Sequence, residues 1–195
     1  MLLMQIAECA LTRRSPQIGD PSVVGWLTVA AYLIASALAL ATATKRGQRR
    51  AERTFWLLSG AGLLFLAINK QLDLQSFLTA FARCMAELQG WYGSRRLVQL
   101  GFILVLMGAA VGVGVAGIWA LRHTFRRTAM AILGLVWITT FVLIRAIGFH
   151  HVDLLIGIQL GGLRLNWLFE LGGIAIFTLG CLLALATSQR ARVAR

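Results

Sequence analysis

The stretch "VVGWLTVAAYLIASALALATATKRGQRRAER", Val23 to Arg53, runs from Val23 to Ala43 without a charge and then breaks into Lys45, Arg46, Arg49, Arg50 and Arg53. A membrane span needs about 20 mostly apolar residues. This run supplies them, and the basic cluster behind it is the mark of a cytoplasmic loop.

Four more segments read the same way: Phe55–Leu74, Leu97–Leu121, Thr128–Gly148 and Leu165–Thr187. The 195 residues are 58% hydrophobic and 13% charged, with a mean hydropathy of +0.77. Soluble domains carry about 25% charged residues, so composition alone sets this chain among membrane proteins. The predicted fold is all-α and polytopic. Five transmembrane helices and one extracytoplasmic interfacial helix form a single transmembrane domain over residues 1–195. The N-terminal "MLLMQIAECALTRRS" has no basic leader region and is broken by Glu8, Arg13 and Arg14, so it does not read as a signal peptide. There is no internal repeat or low-complexity tract.

A net charge of +12 would suggest nucleic acid in a soluble protein. Here the distribution decides otherwise. The cluster after the first span, Arg122, Arg126 and Arg127 after the third, and Arg190, Arg192 and Arg195 in the tail alternate so as to share one side. The positive-inside rule makes that side cytoplasmic, with the N-terminus outside and the C-terminus inside. The basic runs are read as topology signals and contacts to anionic membrane lipids, with no nucleic acid as partner. Of the seven Asp and Glu, only Glu52 falls on the basic side. Chemistry needing carboxylates therefore belongs to the outer face.

Three span ends converge there. Asn69, Lys70 and Asp73 close the second span at i, i+3 and i, i+4 spacing and share a helix face. Asn166 and Glu170 open the fifth in the same way. Arg145, near the end of the fourth span, and Glu170 lie at similar depths, each a turn or more inside the outer boundary at 1.5 Å per residue. They are expected to pair, because an isolated charge at that depth is costly. A structural clamp, or an Arg145 that snorkels to lipid phosphate, competes with a role in a cavity.

Beyond Arg145 the sequence reads "GFHHVD". His150, His151 and Asp153 are ligand types that zinc, iron or manganese accept, though the spacing is not the HExxH arrangement. A histidine oriented by Asp153 for acid–base work is another reading. Arg145 and His151 match one interval of a lipid-phosphatase pattern, but Asp153 comes too early and the upstream Pro-Ser-Gly-His element is missing. That assignment fails.

Between spans two and three, Leu74, Phe77, Leu78, Phe81, Met85 and Leu88 recur opposite Gln75, Arg83, Glu87 and Gln89. This predicts an amphipathic helix over about 75–89 lying in the outer interface. Gly90 ends it, Trp91 and Tyr92 sit at headgroup depth, and Arg95 and Arg96 face phosphates. It reads as an anchor, a lid, or a binder of a phosphorylated head. The apolar loop from Leu154 fits a re-entrant or interfacial segment that turns at Gly161–Gly162. Gly108 and Gly112 in the third span form GxxxG and predict close helix packing, within the chain or between subunits. Cys9 and Cys84 fall on the outer side, where a disulfide is permitted, but no framework is implied. Cys181 reads as a small apolar filler.

"LAINKQLDLQ", "GWYGSRRLVQ", "FHHVD" and "LNWLFELGGI" together resemble a family of small bacterial multi-pass inner-membrane proteins, over most of the chain after Gly25. The resemblance implies a bacterial inner-membrane setting and carries no activity. The functional expectation rests on the residues. Asn69, Lys70, Asp73, Arg95, Arg96, Arg145, Asn166 and Glu170 build an extracytoplasmic pocket for a lipid or amphiphile headgroup. Alternatively, a divalent metal (zinc or iron) sits on His150, His151 and Asp153. The chain acts alone, as a homo-oligomer or within a larger membrane complex. The competing reading is a membrane-embedded, metal-dependent hydrolase or transferase acting on a lipid-like substrate.

Overall fold

Ser22 starts the first long helix. The Gly25 N–H donates to its Oγ at 3.0 Å, a cap worth about 1 kcal/mol. This helix, α2, runs over Val23–Ala43, following a shorter one, α1, over Leu2–Arg13. The structure, a computed structural model, describes residues 2–13, 18–45, 47–147, 159–160 and 163–193. After a turn through Gly47, at φ +81°, α3 (Arg50–Leu72) returns along α2. Then come α4 (Leu74–Leu88), a 3₁₀ turn at Tyr92–Ser94, α5 (Arg95–Leu121), α6 (Phe125–Ile147) and α7 (Leu165–Val193). A two-residue antiparallel ladder, β1 (Gln159–Leu160) with β2 (Leu163–Arg164), precedes α7 and brackets Gly161–Gly162. Those two glycines lie outside the described residues.

Among the described residues four helices are long and apolar enough to cross a membrane: Val23–Ala43, Arg50–Leu72, Arg127–Ile144 and Leu165–Thr187. That is the make-up of a polytopic helical membrane protein. Their buried faces repeat at helical spacing, as with Thr28, Tyr32, Ala35, Ala39 and Thr42 on α2 and Trp56, Leu63 and Ala67 on α3. Trp56 meets Phe177 of α7 edge-on, with ring centres 6.2 Å apart. The Ser36 hydroxyl donates to the Gly60 carbonyl at 2.7 Å, tying α2 to α3.

Apolar surfaces gain little by meeting each other in lipid, so close backbone approach must hold the helices together. The α6–α7 seam provides it. A Cβ on Gly134 would fall 2.4 Å from the Phe177 backbone nitrogen, and one on Gly180 would fall 2.4 Å from that of Ala131. The GxxxG of α5 behaves differently. Around Gly108 and Gly112 nothing among the described residues comes within 4 Å of a Cβ, so these glycines pack against no described helix. The seam where a Cβ would meet backbone at 2.4 Å is α6–α7.

The N-terminal segment, which does not read as a signal peptide, is a helix. Alone it would be marginal at this length, and contacts with α4 hold it. Ile6 and Ala10 are buried, Cys9 is bonded to Cys84, and Arg13 grips Glu87 with Nη2–Oε2 at 2.6 Å. The disulfide for which no framework was implied is therefore present, because α1 folds back on α4. α4 itself matches the helix predicted over 75–89. Its Cys84–Glu87 side meets α1, and Phe77 and Phe81 stay half-buried with ring centres 6.5 Å apart.

Candidate functional site

The start of α2, the ends of α3 and α6 and the start of α7 gather at one end of the bundle, opposite the basic turn between α2 and α3. A cavity of about 680 Å³ opens there. Tyr32 and Leu66 lie in its wall, α6 contributes Phe141 and Val142, and α7 contributes Asn166, Trp167 and Glu170.

Its floor is an ion pair. Lys70 Nζ lies 2.6 Å from Glu170 Oε2, and the two side chains are only 8% and 5% exposed. The Tyr32 hydroxyl donates to the other carboxylate oxygen, Oε1, at 3.2 Å. Both oxygens of Glu170 are thus engaged, as a charge this far from water requires. Depth points to Arg145 as a partner of Glu170; among the described residues the partner is Lys70, near the end of α3. The Arg145 backbone belongs to α6, and its side chain lies outside the described residues.

One wall is the segment Gly19–Ser22. The Gly19 N–H donates to the Gln71 carbonyl at 2.8 Å, satisfying one of the last carbonyls of α3. A Cβ at Gly19 would sit 2.8 Å from the Lys70 carbonyl oxygen and 3.1 Å from Asp73 Cβ, so only glycine lets the strand lie this close. Asp20 accepts from the Ser22 hydroxyl at 2.6 Å and from its N–H at 3.3 Å. Burial pushes the Asp20 carboxyl up. The Ser22 hydrogen bonds, the Lys70 ammonium and the Trp167 side chain outweigh it, leaving the group below its usual value and ionised at neutral pH.

Asp73 closes α3 and begins α4 in the left-handed region, at φ 46° and ψ 45°. Aspartate tolerates that conformation better than most residues. The chain can therefore turn sharply here and still present a carboxylate to the cavity. Asn166 Oδ1 and Gln71 Oε1 are buried without a hydrogen-bond partner among the described residues.

Five residues expected at the site, Asn69, Lys70, Asp73, Asn166 and Glu170, line this one cavity. Arg95 and Arg96 open α5, with side chains outside the described residues. His150, His151 and Asp153 also lie outside them. Among the described residues no group of three His, Cys, Asp or Glu is placed to hold a metal. Asp20, Ser22, Tyr32 and Trp167 were not anticipated. "DPS" ahead of an apolar run is a helix-start signature that could have flagged Asp20. Tyr32 shares a face with Thr28 and Ser36 at i, i+4 spacing, a polar stripe on an apolar span. No family model, curated protein or solved structure matches the chain.

Proposed function

We propose that this is a five-span bacterial inner-membrane protein that takes the polar head of a lipid or other amphiphile into the cavity between α2, α3, α6 and α7, on the extracytoplasmic side. The observation that carries the reading is the Lys70–Glu170–Tyr32 network at the floor of a roomy polar cavity. Ligand sites typically occupy about 300–1,000 Å³, with a few placed polar groups among apolar walls. The helices around the cavity expose apolar flanks, such as Leu33 and Phe65. An acyl chain can lie along such flanks while the head enters from the side.

α5 is the fifth crossing in this reading. Its 27 residues reach about 40 Å as a helix, enough for the hydrocarbon core. Its second half, Met107–Leu121, is uniformly apolar. The basic turns support the orientation, and so does the Cys9–Cys84 bond, since disulfides persist on the oxidising side of the membrane. α4 then lies in the outer interface with Phe77 and Phe81 toward lipid.

The test is native mass spectrometry of the full chain purified in mild detergent. A co-purifying amphiphile should be retained by the wild type and released by Asn166→Leu or Trp167→Ala. Equal retention by variants and wild type overturns the reading. Metal analysis of the same preparation addresses His150, His151 and Asp153. Stoichiometric zinc or iron that disappears in His150→Ala would replace the headgroup site with a metal centre.

A further inference from the structure

We infer that the opposite end of the bundle holds a second site, a cationic cavity at the α2–α3 turn that receives a phosphate of net negative charge on Lys45 and Arg53. This goes beyond the headgroup reading above and does not depend on it. A cavity of about 390 Å³ lies between the end of α2 and the start of α3, lined by Ala43, Thr44, Lys45, Gly47, Gln48 and Arg53. Gln48 braces its wall, with Nε2 donating to the Thr42 carbonyl at 3.0 Å. Gly47, at φ +81°, reverses the chain there, and Lys45 and Arg53 share the hollow.

The charge of this turn has no counterpart within the protein. Lys45, Arg46, Arg49, Arg50 and Arg53 follow one another closely, and of the seven acids only Glu52 belongs to this end. Glu52 is 3% exposed, among the buried residues of α3, and takes no part in the lining. The described ion pairs, Arg13–Glu87 and Lys70–Glu170, lie elsewhere.

Diffuse counterions serve cations spread over an open surface. Two cations around one hollow suit a single anion with several oxygens, and phosphate fits both the guanidinium fork and the lysine ammonium. The first N–H groups of α3, left without a side-chain cap, add donors at the same turn. The wall also holds one acceptor, Gln48 Oε1, buried without a partner among the described residues. It suits a hydroxyl carried by the head. Position favours a lipid as the source. Ala43 ends an apolar helix of 21 residues and lines the cavity, so the cavity opens where apolar core gives way to headgroups. Leu40 on α2 and Leu57 and Leu58 on α3 are exposed, leaving apolar flanks for acyl chains. A free phosphate would meet the same cations, and the chemistry of recognition is shared.

The full chain in detergent is titrated with phosphatidylglycerol, phosphatidylcholine of the same chain length, and inorganic phosphate, with binding read by native mass spectrometry. The phosphatidylglycerol should bind at least about tenfold tighter than the phosphatidylcholine, and Arg53→Gln should remove about that factor, the scale of one charge-assisted hydrogen bond. Four basic residues remain in the turn of that variant, so its topology signal is kept. Lys45→Gln repeats the test if Arg53→Gln fails to fold. Arg127→Gln, which removes the same charge at the same end but outside the cavity, should change binding by less than about twofold. Inorganic phosphate that displaces the lipid at equal concentration identifies a free anion as the occupant and supports the site. Equal losses in Arg53→Gln and Arg127→Gln reveal a diffuse charge effect and overturn it, as does phosphatidylcholine bound as tightly as phosphatidylglycerol. Binding lost in Trp167→Ala and kept in Arg53→Gln puts the lipid in the outer cavity, which overturns this site and leaves the headgroup reading standing.

Discussion

Lys70 and Glu170 are 100 residues apart in the chain, yet their charged atoms meet at 2.6 Å and lock α3 to α7. Breaking a buried pair by removing one partner typically costs about 3–5 kcal/mol. Lys70→Met and Glu170→Gln should each lower detergent stability on that scale. The double variant Lys70→Met/Glu170→Gln should recover much of it, because no stranded charge remains. Thermal unfolding of the four proteins in the cycle measures the coupling. Strictly additive losses would show that the two residues do not act as a pair.

The α6–α7 seam and the α5 glycines give opposite expectations for the same chemical change. Gly134→Ala drives a methyl into the Phe177 backbone and should cost about 1–3 kcal/mol as overpacking. Gly112→Ala enters open space and should be neutral, or gain up to about 1 kcal/mol in helix propensity. If Gly112→Ala instead shifts the oligomeric state on size-exclusion chromatography, a second copy covers that face.

Acid should reach Asp20 late, below the ordinary carboxylate range. Its carboxyl is held below the ordinary 3.8 despite burial, by Ser22, Lys70 and Trp167. A lowered folded-state value means the group stabilises the fold above its unfolded value and ceases to do so as pH falls through the folded one. Stability profiles of wild type and Asp20→Asn should therefore lie apart at neutral pH and converge below about pH 4. Profiles that stay parallel across that window would remove Asp20 from the stabilising network.

Orientation can be read chemically. An impermeant thiol reagent should modify Ser94→Cys in intact cells and Thr124→Cys only after lysis. The reverse pattern would place the cavity on the cytoplasmic side.

Four of the five expected spans are legible as helices long and apolar enough to cross a membrane, because about 20 apolar residues in a row have few other uses. Asn69, Lys70 and Asp73 were legible as one face, since i, i+3 and i, i+4 spacing fixes neighbours within a helix. The Lys70–Glu170 pair was not, because rise per residue ranks charges by depth and is silent on which helices face each other. α1 is tied down from outside its own stretch, by Cys84 and Glu87 on another helix, and spacing within residues 2–13 does not announce those partners. Asp20 sits in a loop, where position depends on the carbonyls left over at the end of α3.

The Cys9–Cys84 bond also sets an arithmetic on the chain's path. Two thiols can join only on the same side of a membrane, so the polypeptide must cross an even number of times between residues 9 and 84. α2 and α3 supply those two crossings. During synthesis Cys9 stays an open thiol until both helices are inserted and α4 has emerged. The closed bond is thus a chemical record that the first pair went in correctly. A chain that inserted only one of the two would carry two free cysteines in different compartments, visible as a mobility difference on a non-reducing gel.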